Sequence, residues 1–73
     1  MQKVKVQYTG GESRYQPGVA VDYMLAEVDN TELYAERPAE DDESANYDAL
    51  KDDILESART NGIDTDRLIF WYD

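Results

Sequence analysis

Sixteen of the seventeen acidic residues in this 73-residue chain follow Val21, and any fold it adopts must keep them at the surface. Residues 1–21 set Lys3, Lys5 and Arg14 against Glu12, a net of +2. Residues 22–73 set sixteen acids against Arg37, Lys51, Arg59 and Arg67, a net of −12. Like charge concentrated on a small domain opposes compaction through self-repulsion. A strongly basic partner accounts for its retention. Nucleic acid and anionic membrane are disfavoured as direct partners, because both repel a surface of net charge −10.

The length suits a single domain, residues 1–73, with one small core. Six tyrosines, one Trp and one Phe set the chain apart from disordered acidic sequences, which are poor in aromatics. There is no Cys, hence no disulfide and no thiolate metal site. No segment has the length of a transmembrane helix, and the N-terminal MQKVKVQY alternates instead of forming the apolar run of a signal peptide. A cytoplasmic protein is expected.

Lys3–Tyr8 alternates strictly, with Val4, Val6 and Tyr8 on one face, as in a half-buried strand. Thr9-Gly10-Gly11-Glu12-Ser13 has turn chemistry, and Pro17-Gly18 predicts an edge, bulge or bend after Arg14 and Tyr15. Val19–Val28 fits a strand through Val19, Val21, Tyr23 and Leu25, while Met24–Glu27 would also suit a helix; the β-branched and aromatic residues favour strand. Asp29-Asn30-Thr31 reads as a turn, followed by a short strand Glu32–Arg37 that Pro38 ends.

Residues 39–45 (AEDDESA) form an exposed acidic loop, from which Ser44 or Asn46 caps a helix running to about Asn61. Its apolar face is Tyr47, Leu50, Ile54 and Ala58, with Leu55 beside them. Asn61-Gly62-Ile63 resembles a left-handed C-cap. The last strand, Arg67–Tyr72, is apolar on both sides, which predicts a central position or an outer face that meets a partner. The fold class is therefore α+β: a small antiparallel-rich sheet of three or four strands, order ββ(β)αβ, with one helix on one face.

With neither His nor Cys, the commonest bases, nucleophiles and transition-metal ligands are missing, and Ser13, Ser44 and Ser57 have no imidazole to activate them. Gly10-Gly11 lacks the rest of a phosphate loop, and Asp29–Leu33 fails the calcium-loop pattern for want of glycine at its sixth position. No enzymatic activity, cofactor or metal is expected.

The carboxylates have a pattern. Asp48, Asp52 and Glu56 are spaced i, i+4, i+8, with Asp53 beside them, along one edge of the helix. Loop acids Glu40, Asp41, Asp42 and Glu43 extend that row, and Asp22, Glu27, Asp29, Glu32 and Glu36 supply a second. Successive helix acids rise about 6 Å along the axis, within a factor of two of the ~3.4 Å spacing of phosphates along a DNA strand. Tyr47 and the other tyrosines offer short-range anchors, although core and sheet packing is the ordinary use of such rings. A generic acidic surface for solubility or high salt explains the charge less well, since it would also cover the basic N-terminal strand.

Small size, acidity, the absence of Cys and His, and the segments EDDE (40–43) and DALKDDILE (48–56) resemble the phage-encoded DNA mimics of the anti-restriction and anti-CRISPR class. That resemblance implies a stoichiometric inhibitor, monomer or homodimer, that blocks DNA access to a basic nucleic-acid-binding protein such as a CRISPR effector subunit, at the site where it reads its PAM duplex. The competing expectation is an interaction module that docks through an edge strand or through Ile69-Phe70-Trp71-Tyr72.

Overall fold

The computed structural model describes residues 2–42 and 44–70. Glu43 of the acidic loop and Trp71 and Tyr72 of the expected last strand lie outside the described residues. The architecture is α+β, with a three-stranded antiparallel sheet, a two-stranded parallel pair and one helix.

The alternating N-terminal segment serves both sheets. β1 (Val4–Lys5) ends at Val6, whose N–H donates to the Ile69 carbonyl, and β2 (Gln7–Glu12) then joins the antiparallel sheet. β2 thus runs straight through Gly10 and Gly11, where a turn is expected from sequence. The glycines serve close packing. A Cβ on Gly10 would lie 3.4 Å from Asp22 Oδ1, and one on Gly11 would lie 3.3 Å from the Tyr23 ring. Reversal comes later, at Gln16-Pro17-Gly18-Val19, where Pro17 presets φ, Gly18 takes φ 83° and the Val19 N–H donates to Gln16.

β3 (Ala20–Val28) and β4 (Thr31–Pro38) form the main hairpin. Asp29 and Asn30 both have positive φ, 51° and 69°, which is the two-residue turn whose twist matches paired strands. Val28 pairs with Thr31, and the register runs to Val21 opposite Pro38. Period-2 alternation sends Met24, Ala26, Val28 and Leu33 to one side, where they are buried against Leu50, Ile54 and Ala58.

Those last three residues come from α1 (Tyr47–Thr60), which packs across β3 and β4. The expected capping is half realised. Asn46 occupies the N-cap position with helical φ and ψ, but its side chain donates to Asp22 and to the Pro38 carbonyl. It ties helix to sheet and leaves the first-turn N–H groups to others. At the other end Ile63 N–H donates to Ala58 and Gly62 N–H to Arg59, with Gly62 at φ 71°, a Schellman closure. Gly62→Ala places a Cβ in the left-handed region and is expected to lower unfolding stability by about 1–2 kcal/mol in a urea titration.

The C-terminal strand differs most from expectation. Thr65–Arg67 forms a 3-10 turn, because Asp64 accepts from Asp66 N–H and because Arg67 is drawn to Asp29 and the Gln2 carbonyl. Among the described residues β5 is Leu68–Ile69, parallel to β1 in a two-stranded pair apart from the antiparallel sheet. Leu68 is buried, while Ile69 is 40% exposed.

Candidate protein-binding surface

The described carboxylates expected at a binding site fall into two groups. One group is engaged inside the molecule. Asp53 receives a bidentate pair from Arg37, with Nε and Nη2 each 3.0 Å from a carboxylate oxygen, and this ties α1 to the edge strand β4. Asp29 receives Arg67, which pins the C-terminal turn to the hairpin tip. Glu32 pairs with Arg14. Glu36 accepts from the Ser13 hydroxyl, the Arg14 N–H and the Tyr34 hydroxyl, which holds the segment after β2 down on the sheet. Exposed pairs of this kind each contribute no more than about 1 kcal/mol. They nevertheless decide which acids are open to a partner.

The second acidic row anticipated along the hairpin therefore does not exist as such. Strand alternation puts Asp22 on the helix side, hydrogen-bonded to Asn46, and Glu27, Glu32 and Glu36 on the outer side. Asp29, at the turn between them, is already matched by Arg67.

The other group is outward and unmatched. Asp48, Asp52 and Glu56 are exposed on α1, and among the described residues no cation pairs with them. The residues buried from that helix are Leu50, Ile54 and Ala58, so the carboxylate row runs on the opposite side at i, i+4 spacing. Over eight residues it extends about 12 Å. Glu40 and Asp41 are exposed in the segment that leads into the helix N-terminus. Asp42 is exposed too, but its Oδ1 accepts from the N–H and the hydroxyl of Ser44, and those bonds hold the carboxyl below its ordinary value. This local turn starts the helix just downstream.

Tyr47, expected as an anchor, is half-buried and stands edge-on to Tyr8 with ring centroids 5.5 Å apart. It packs against the core cluster. Among the described residues the exposed aromatic is Tyr15, 69% accessible, set edge-on to Tyr34 in the loop that Ser13 organises. Ser13 is buried, and its hydroxyl accepts from the N–H groups of Tyr15 and Gln16. Pro17-Gly18 signals that loop in the sequence, but nothing local shows that Arg14 reaches back over Tyr34 to Glu32.

The network around Glu36 makes a pH prediction. The Ser13 hydrogen bond above all, assisted by Tyr34 and Arg14, holds the Glu36 carboxyl below its ordinary 4.5. A group depressed on folding stabilises fully above its unfolded pKa, and that contribution disappears as pH falls through the folded value. The stability gap between wild type and Glu36→Gln is thus expected to be constant at neutral pH and to close in acid. Thermal unfolding of both proteins between roughly pH 6 and pH 2 measures it.

No family model, curated protein or solved structure matches the chain. Among the described residues no helix is long and apolar enough to cross a membrane, and no group of three or more acidic residues is arranged to hold a metal ion.

Proposed function

We propose that this protein is an inhibitor that occupies the basic DNA-binding surface of a bacterial defence complex, presenting carboxylates where phosphates would lie. One observation carries the proposal. The fold pairs Glu32, Asp29 and Asp53 with its own arginines and holds Glu36 through Ser13 and Tyr34, yet leaves Asp48, Asp52 and Glu56 exposed in a row on α1 with no ion pair among the described residues. Carboxylates held at this spacing can engage Arg and Lys side chains that otherwise grip a duplex, with bidentate geometry at arginine. A net charge of −10 would steer such an encounter and make it sensitive to salt. Loop acids Glu40 and Asp41 widen the same field.

The test is competition. Purified CRISPR effector complexes of several types, each with its PAM-bearing duplex, are titrated with this protein at low and at physiological salt. At least one complex should lose its duplex at low salt and recover it as salt rises. If every complex retains its DNA throughout, the proposal is wrong.

A second reading rests on Ile69, 40% exposed on β5, as the contact of a docking module that does not imitate DNA. Binding that ignores salt and is lost in Ile69→Asp would select it.

A further inference from the structure

The outer face of the antiparallel sheet, opposite α1, carries a feature independent of the helix acids. Arg14 lies across this face with its guanidinium carbon 3.9 Å from the centre of the Tyr34 ring, and its charge meets Glu32. Here the fold already shows a guanidinium resting on a tyrosine beside a carboxylate. Next to it Tyr23 lies with its ring centroid 5.6 Å from that of Tyr34 and tilted by 32°. Beside them lies an open cavity of about 300 Å³ lined by Gly11, Glu12, Arg14, Tyr23, Leu25 and Tyr34. Gly11 keeps it open, since any side chain there would press on the Tyr23 ring.

We propose that this cavity receives an arginine side chain from a protein partner, stacked on Tyr23 alongside the chain's own Arg14. Charge selects a cation over an anion. Arg14 is tied to Glu32, and its backbone N–H to Glu36. Glu12 lines the cavity itself and Glu27, directly across from Glu32, is exposed, so Glu12, Glu27, Glu32 and Glu36 together outweigh Arg14. Planarity selects guanidinium over ammonium, because a flat cation lies on a ring face as Arg14 does. Size and openness suit one side chain and not a helix. Tyr34 is held by its hydrogen bond to Glu36, Tyr23 packs against it, and Ser13 holds the neighbouring loop, so little order has to be gained on binding.

The experiment is an NMR titration of the full chain with N-acetyl-arginine methylamide, and with its neutral citrulline counterpart. The arginine compound should shift the ring resonances of Tyr23 and Tyr34 and the methyls of Leu25, saturably. Citrulline should bind about three- to fivefold more weakly, the factor expected for an exposed cation–π contact. Gly11→Val should abolish those shifts. Gly11 lacks the positive φ of Gly18 and Gly62, so valine fits its strand, and the amide spectrum shows whether the variant folds. Should it fail to fold, Tyr23→Leu keeps an apolar floor without the ring and should lose the same shifts. Equal affinity for arginine and citrulline, or shifts confined to the amides of residues 48–56, would overturn the proposal. The protein with Asp48, Asp52 and Glu56 reversed should retain the Tyr23 shifts, which separates this site from the helix edge.

Discussion

Under the proposed function, replacing Asp48, Asp52 and Glu56 with lysine is expected to abolish displacement of duplex DNA from a CRISPR effector complex and to leave the fold intact. Each reversal changes the charge by two, so the chain moves from −10 to −4 and its most ordered acidic row becomes basic. Like charges facing each other across an interface cost several kcal/mol, enough to remove measurable inhibition. The fold should tolerate the change, because all three side chains are exposed and form no ion pair with described residues. A lysine in the first turn opposes the helix dipole by about 0.3–1 kcal/mol, while lysine's better helix propensity offsets part of that. Unfolding stability should therefore shift by less than about 1 kcal/mol. Asp53→Asn is the internal control. Its carboxylate already holds Arg37, so inhibition should fall little while the tie between helix and sheet loosens. If the triple reversal folds and still displaces DNA, the helix edge is not the binding surface.

The second large effect is on stability. Ile54→Ala is expected to destabilise the fold by about 2–5 kcal/mol, since the residue is fully buried and its removal leaves a cavity. At roughly 0.05–0.15 kcal/mol per residue, a domain of this length has a total of about 4–11 kcal/mol. One truncation thus removes a large share of it. Ile54 touches the cluster that Met24, Val28 and Leu33 contribute from the sheet, and the self-repulsion of the acidic surface leaves little reserve. Leu55→Ala, one residue along and only half-buried, should cost clearly less. Urea unfolding followed by far-UV circular dichroism checks both, and equal losses would mean that the helix is not docked through this face.

Where a periodicity repeats over several residues, the elements were legible in advance. The helix reads from Tyr47, Leu50, Ile54 and Ala58, its end from Asn61-Gly62-Ile63, and the hairpin from Asp29-Asn30 followed by Pro38. Local turn chemistry misled where a distant neighbour decided the outcome. Gly10 and Gly11 look like a turn, but they lie within β2, held by pairing with Asp22 and Val21 of β3. The apolar pattern of Arg67–Tyr72 predicts either a central strand or an outer face that meets a partner, and the described part, Leu68–Ile69, lies in a two-stranded pair with β1 that only the tertiary structure shows.

The sequence by itself determined the sign and density of the charge, the absence of histidine and cysteine chemistry, and the spacing that lines Asp48, Asp52 and Glu56 along one helix edge. Those are properties of composition and of a 3.6-residue repeat, and no tertiary contact can alter them. Only the tertiary structure decided which acids remain open. Arg14, Arg37 and Arg67 reach partners 18, 16 and 38 residues away, and thereby set a positive charge against Glu32, Asp53 and Asp29. Ion pairing at such separations follows from how strands and helix are stacked, which a local pattern does not encode. The same stacking put Arg14 on Tyr34 and opened the cavity beside Tyr23.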